Sequence, residues 1–407
     1  MKRLGGAAVL ATLILAGCGS GTAATRPTPS VTGQASATAS ASPESTPSAH
    51  PTATPSESPS STPTPAGSSN DPGYMPALAS IQMVTPRIGW AAGSHSIYAT
   101  GDGTHWASQY RSTNDYAGVD FVSTTVGWVV GLHELLGTTD GGRSWHQLGE
   151  AEKPIRSVHF VSPSRGWGIS GGLDVQPFHG RLVPLTGGSL VTSNDGGHTW
   201  SNLTAPQDPQ TICFSDASHG WIATIDGAVH ASHDGGLSWT RSVIMPGQEP
   251  GLQGRNLIEC AAPSALWALY APGGAAAGSS PYVVYATQNG ADWRPVMSGL
   301  IQTTPATPQG SGSYPGSFSV VDPNDAVFIG DTAAADRAEV VVAMNGGTSL
   351  RRSTGVEAIE TFDAAFLTTS MGWALVRNAS GNYVIEATAD GGAHWAAQLS
   401  VTEQSPG

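Results

Sequence analysis

From residue 73 onward the chain repeats one arrangement of apolar and polar positions. A short apolar strand runs into a polar turn and emerges at a tryptophan, most often as "GW". The copies are "MVTPRIGW" ending at Trp90, "FVSTTVGW" at Trp128, "FVSPSRGW" at Trp167, "FSDASHGW" at Trp221, "CAAPSALW" at Trp267 and "FLTTSMGW" at Trp373. Seven positions before these tryptophans stand Met83, Phe121, Phe160, Phe214, Cys260 and Phe366. "VDPNDAVF" fits the same frame, with Val321 and with Phe328 in place of the tryptophan.

A second signature closes each unit. It reads "TGDGTHW" to Trp106, "TTDGGRSW" to Trp145, "SNDGGHTW" to Trp200, "SHDGGLSW" to Trp239, "TQNGADW" to Trp293, the decayed "AMNGGTSL" to Leu350, and "TADGGAHW" to Trp395. All 12 tryptophans of the chain fall on these two positions, six on each, and the unit with Phe328 and Leu350 there instead makes seven. Each unit predicts four short strands joined by Gly/Asp turns; in the third they fall at about 156–161, 166–170, 189–193 and 198–203. Such segments cannot bury both faces alone, and radial packing hides the faces against neighbours. The expected fold is an all-β, seven-bladed β-propeller of four-stranded antiparallel blades over residues 73–403. The blades are expected at about 78–111, 115–150, 153–205, 209–245, 255–300, 315–353 and 357–402.

The closing signature has a local explanation. Its turn needs positive φ, which Gly supplies cheaply, and an Asp carboxylate there accepts turn N–H groups. The Trp then returns into the sheet and fills space between blades. This assigns a structural role to Asp102 and Trp106, Asp140 and Trp145, Asp195 and Trp200, Asp234 and Trp239, and Asp390 and Trp395. The aspartates are spread over separate turns without the oxygen spacing of a calcium loop. His105, His198 and His394 flank tryptophans in different turns and share no partner, so neither a metal nor another cofactor is expected.

The N-terminal end is a different material. Lys2 and Arg3 precede an apolar run to Ala16, and "LAGC" sets small residues before Cys18. The run is too short for a permanent membrane span and reads as a signal peptide, residues 1–17. Its end resembles the lipobox of bacterial lipoproteins, which implies lipidation of Cys18 and anchoring at the outer face of the cytoplasmic membrane. Residues 18–72 carry that cysteine and a Ser/Thr/Pro/Ala-rich linker unable to bury enough apolar surface to fold. The whole chain carries a net charge of −13, and removal of Lys2 and Arg3 makes it 15 − 30 = −15. That argues against nucleic acid and against electrostatic docking on anionic lipid. The expected state is a monomer.

The repeats "GW…T-x-D-G-G-x-[ST]-W" resemble those of the photosystem II stability and assembly factor propellers and their bacterial relatives. The closing signature resembles the Asp box, or BNR repeat, which Ser193, Asp195, Gly197, Thr199 and Trp200 match at every defined position. The resemblance covers about residues 75–403 and implies non-catalytic binding of a partner during assembly. That family is associated with a basic patch, whereas this chain is acidic. Sialidases also carry Asp boxes on a propeller and use three arginines, a Tyr–Glu pair and an acid Asp. The long xyloglucan-cleaving enzymes have similar repeats on two propellers. The expected function is therefore binding or scaffolding of an extracytoplasmic protein or glycan, with a carbohydrate-active enzyme as the alternative.

Strand order puts the Asp boxes on one face and four long insertions, residues 171–188, 243–256, 271–281 and 299–316, on the other. Functional variation concentrates in such loops. The candidate binding residues are Asp174, Phe178, His179, Arg181, Arg255, Arg337 and Arg377, with Asp331 on the same face. Cys213 and Cys260 lie on innermost strands of adjacent blades with opposite parity, so the thiols can approach. A disulfide is one reading, and two small core residues the other.

Overall fold

Across each unit the hydrophobic period is that of short strands, and the computed structural model is an all-β propeller. It describes residues 75–402 except 150, 174, 245–253, 273–278, 304 and 333–335. The signal segment, Cys18, the linker and Asp174 lie outside the described residues. The described residues belong to one compact unit, Thr64–Gly407. In the third unit the strands are Ile155–Phe160, Gly166–Leu173, Thr186–Ser193 and Ser201–Asn202. The second and third are longer than expected because they extend into the insertion between them.

The expectation of seven separate four-stranded blades is corrected. Among the described residues the repeat strands form six sheets, one six-stranded and five four-stranded, beside a two-stranded hairpin. The six-stranded sheet holds the first two repeat units. Its strand Trp106–Phe121 runs without a break from the outer edge of the first unit to the inner edge of the second. It pairs with Gly89–Thr100 through residues as far as Asp115, then with Gly127–Gly131 from Tyr116. The strand is continuous through that connection, and its two halves form separate ladders, one with Gly89–Thr100 and one with Gly127–Gly131.

Aromatic packing explains the "GW" signature. Trp90 stacks on Phe121, Trp128 on Phe160 and Trp167 on Phe214, at centroid distances of 3.6, 3.5 and 3.6 Å. In each case the Trp belongs to one unit and the Phe to the next. The Asp-box Trp of that next unit meets the same Phe edge-on, as Phe160 with Trp200 at 5.9 Å and Phe214 with Trp239 at 6.2 Å. The Phe also lies opposite the glycine of "GW" in the antiparallel register, as in the pairs Phe121–Gly127 and Phe160–Gly166. A Cβ at Gly127 would sit 2.2 Å from the Phe121 ring. The glycine is therefore space for the aromatic. Where Cys260 or Val320 replaces it, the residue opposite is Leu266 or Ala326.

The same register corrects the sixth unit. Val320, not Val321, pairs with Ala326, so the next residue, Val327, holds the tryptophan position. Val327 packs in one cluster with Phe366 of the following unit, as the tryptophans do elsewhere. Phe328 points to the opposite sheet face, where it stacks on Phe318 at 5.4 Å.

The innermost strands contact one another in a closed cycle, with Ser80–Met83 meeting Glu360–Phe366 at the seam. One side chain from each unit grips the next strand. Gln82 Oε1 accepts the Phe121 N–H at 2.6 Å, and Asp120 Oδ2 accepts that of Phe160 at 2.7 Å. His159 Nε2 donates to the Phe214 carbonyl at 2.7 Å. Cys213 and Cys260 are joined by a disulfide, with Cα atoms 5.8 Å apart. Glu259 accepts the Val320 N–H at 3.2 Å, and Ser319 that of Phe366 at 2.9 Å. Asp363 closes the cycle, accepting the Ile81 N–H at 2.9 Å and the Ser80 hydroxyl at 3.1 Å. The disulfide is thus the covalent member of a set of otherwise hydrogen-bonded links between units.

Candidate functional site

The Asp boxes are self-contained. Asp195 Oδ1 accepts the Ser193 hydroxyl and the Thr199 N–H, and Oδ2 accepts the Thr199 hydroxyl, at 2.8, 2.9 and 2.6 Å. Gly196 and Gly197 supply φ values of 76° and 90°. The Thr199 hydroxyl and N–H, partly opposed by desolvation, hold the Asp195 carboxyl down at about 2. Asp140 and Asp234 are held down to about 2 mainly by Ser144 and Ser238, and Asp390 to about 2 by His394. Asp102 is lowered chiefly by His105. These carboxylates are spent on their own turns. The tryptophans Trp145, Trp200, Trp239 and Trp395 are only half-buried, whereas Trp106 and the "GW" tryptophans are buried.

The insertion face is built differently. Part of the 171–188 loop folds into the hairpin Gln176–Phe178 with Arg181–Val183, closed by His179 and Gly180 at φ 48° and 64°. A two-residue turn with both centres at positive φ matches the twist of the strands it joins. Leu182 and Val183 are both fully buried, Leu182 against Ala79 and Ala117, Val183 against Leu257 and Tyr282. The hairpin is therefore clamped on both sides. Its tip enters the central channel: a Cβ on Gly180 would lie 2.5 Å from Asp363 Oδ2 and Ser80 Oγ.

This tip separates two cavities, His179 lining both. The central one, about 400 Å³, is lined by Asp120, His159, Arg181, Glu259 and Asp363 among others. Arg181 Nη2 lies 3.6 Å from Glu259 Oε1. Burial raises Asp120 and Glu259, opposed mainly by His159 and by Arg181 respectively. Burial likewise pushes Asp363 up to about 7 against the pull of the Ile81 N–H. Because the carboxylates also carry the inter-unit links, this cavity reads as the braced hub of the ring. His159, Cys213 and Cys260 converge closely enough to suggest metal ligands, but both sulfurs are in the disulfide.

The second cavity, about 660 Å³, opens among the insertions. All four contribute to it: Phe178 and Leu185 from the first, Arg255 from the second, Ser280 and Pro281 from the third, Tyr314 and Pro315 from the fourth. Asp331, Glu360 and Phe362 complete a lining in which apolar walls carry a few polar groups, the usual make-up of a binding pocket. The Arg255 guanidinium lies 5.4 Å from the Phe178 ring centre, and no acid pairs with it among the described residues. Burial pushes the Asp331 carboxyl up to about 7 against the opposing Thr361 hydroxyl and N–H, with Glu360 adding a like charge. Burial, then Arg181 and Arg255, push His179 down to about 3, so its ring is neutral.

The seven sequence candidates thus separate. Phe178, His179 and Arg255 line the insertion-face cavity. Arg181, expected on that face, lines the central cavity instead, because it directly follows the tip that the hairpin carries into the channel. Arg377 is 2.7 Å from Glu360, which lines the cavity, so it acts through that acid. Arg337 is exposed and pairs with Glu357 at 3.0 Å, outside the lining. Asp174 lies outside the described residues. Glu360, Thr361 and Phe362 escaped the sequence reading because they begin the innermost strand of the last unit after a short connection, with no insertion to mark them.

No family model matches the chain, and no curated protein matches it in sequence. Solved structures do match. A structure of YCF48 bound to a D1 peptide aligns at TM-score 0.51 and 15% identity, over 77% of this chain and 93% of that one. The GH74 enzyme of Niastella koreensis aligns at TM-score 0.52 and 14% identity, over 77% of this chain and 52% of that one. The GH74 xyloglucanase of Xanthomonas campestris aligns at 0.53 and 12%, over 78% and 52%. The chain spans about half the length of these two enzymes. At such identities the likeness is one of fold, and the chain has the β-propeller fold that YCF48 and the GH74 enzymes share.

Proposed function

We propose that the chain is a non-catalytic binding module whose insertion-face cavity receives a segment of an extracytoplasmic protein. The observation that carries this reading is the convergence of all four long insertions on one cavity with apolar walls and a few polar groups. The opposite face spends its carboxylates on local turns. A YCF48 structure of the same fold holds a D1 peptide, which supports a peptide as the class of partner. The lipobox-like end at Cys18 and the linker after it support attachment to the outer face of the cytoplasmic membrane. A photo-crosslinking residue at Phe178 of the full-length protein should capture the partner in cells. The same residue at Leu237, exposed beside an Asp box, should not. Equal capture from both positions would reject the assignment of the face. Cys18→Ala should abolish lipid labelling.

One observation favours the runner-up, a glycoside hydrolase. Asp331, pushed up to about 7, shares the cavity with Glu360, which Arg377 pairs at 2.7 Å. Two carboxyls in unlike environments are what acid–base cleavage of a glycoside uses. Against a sialidase, Arg255 is the one arginine among the described residues lining the cavity. Turnover of chromogenic sialosides or of xyloglucan that is lost in Asp331→Asn would replace the binding reading.

A further inference from the structure

Some polar atoms around the insertion-face cavity have no hydrogen-bond partner among the described residues. His179 is only 8% exposed, and neither ring nitrogen has a hydrogen-bond partner. Asp331 Oδ1 is buried and also without one. Arg255 has the Phe178 ring for company and no carboxylate among the described residues. Buried polar groups in folded proteins are nearly always paired, so unpartnered ones gathered round one cavity point to a polar ligand. Their chemistry describes it. Arg255 offers only donors. Neutral His179 offers one donor and one acceptor, and Asp331 offers an acceptor.

Charge narrows the description. The nearest basic group of the last unit, Arg377, is taken by Glu360 at 2.7 Å. Glu360 adds to the negative potential at Asp331 instead of relieving it. Arg255 and Asp331 line the same cavity without pairing to each other. The remaining walls, Pro76, Pro177, Phe178, Pro281, Pro315 and Phe362, suit an apolar side chain or a proline. A small metal ion does not fit, because among the described residues no three acidic or histidine groups of this cavity converge to ligand distance. A main-chain segment supplies carbonyls for Arg255 and His179, and a cationic side chain compensates Asp331.

Resting on the binding reading above, we propose that this cavity selects a peptide segment carrying a lysine or arginine beside an apolar residue, with Asp331 as the acceptor for the cation. An array of capped random-sequence decapeptides, probed with the full-length protein, tests it. Binders should be enriched in lysine or arginine next to proline or an aliphatic residue. Re-synthesis with citrulline for arginine, or acetyl-lysine for lysine, should weaken binding roughly thirtyfold or more, as expected for removing one partner of a desolvated charge pair. Asp331→Asn should erase that preference while leaving the circular dichroism spectrum unchanged. The substituted peptides keep the test decisive even if that variant folds poorly. Binders indifferent to peptide charge would overturn the inference and leave the binding reading in place. An array with no binder would overturn both.

Discussion

Asp195 and Asp331 are the same side chain in two parts of one molecule, and the protein uses them in opposite ways. Asp195 sits on the surface, accepts three hydrogen bonds from its own turn, and is held down to about 2. Asp331 is half-buried, keeps one buried oxygen without a partner, and is pushed up to about 7. The Asp-box face completes its own chemistry, and the insertion face leaves its chemistry open. A repeated motif that satisfies itself locally can be copied around a ring without creating a site. A site needs groups that the fold brings together and does not satisfy.

If that contrast holds, changes to the repeat framework cost stability and changes to the cavity cost binding. The largest effect is expected for Trp167→Ala, which removes a fully buried indole stacked on Phe214 of the next unit. It should lose about 3–5 kcal/mol in urea unfolding. A loss under about 1 kcal/mol would show that stacking between units is not what holds the ring. Replacing Cys213 and Cys260 together by alanine should cost roughly 2–4 kcal/mol, because the disulfide closes a chain separation of 47 residues in the unfolded state. The other inter-unit links should keep the fold intact, so the circular dichroism spectrum should not change.

The next effect is smaller and concerns pH. The Asp195 carboxyl is lower folded than unfolded, where it titrates near 4. Its stabilisation is present above that value and is lost as pH falls toward about 2. Asp331 is higher folded than unfolded, so the native state binds the extra proton between about 4 and about 7. Stability therefore declines as pH rises through that window. Asp331→Asn should raise Tm more at pH ~8 than at pH ~5. Asp363, also pushed up to about 7, will leave part of the wild-type slope in that variant. An Asp331→Asn Tm difference that is flat with pH would mean the carboxyl is solvated and the cavity is not an enclosed site. The smallest change in stability is expected for Phe178→Ala with Arg255→Gln. Both side chains line the cavity, and since Phe178 also packs against the cluster of Val183 and Leu257, Tm should fall by a few degrees at most while partner capture falls. A drop in Tm as large as that of Trp167→Ala would make these residues framework.

Much of the architecture was legible in the repeats, because tryptophan, glycine and aspartate there answer to local geometry. A Phe opposite a Gly, and a turn closed by its own Asp, leave marks at fixed spacing. The sixth unit misled the frame by one residue. Without its Trp and Phe, only strand pairing distinguishes Val327 from Phe328. The sharing of one sheet by the first two units was also hidden, since Trp106–Phe121 reads as two strands whether or not the backbone bends between them.

The site was legible only as a face. The insertions showed where variation lies, and three of the seven candidate residues line the cavity there. Arg181 was on the right loop and went to the wrong side, because one turn at His179 and Gly180 reverses the hairpin inside the channel. By itself the sequence determined the repeat, its turns and the positions of its tryptophans, all of which depend on neighbours a few positions away or on the spacing between units. Only the tertiary structure decided which polar groups from distant loops meet and which of them remain unpaired. That depends on how the ring closes and where the hairpin comes to rest, and no spacing along the chain records either.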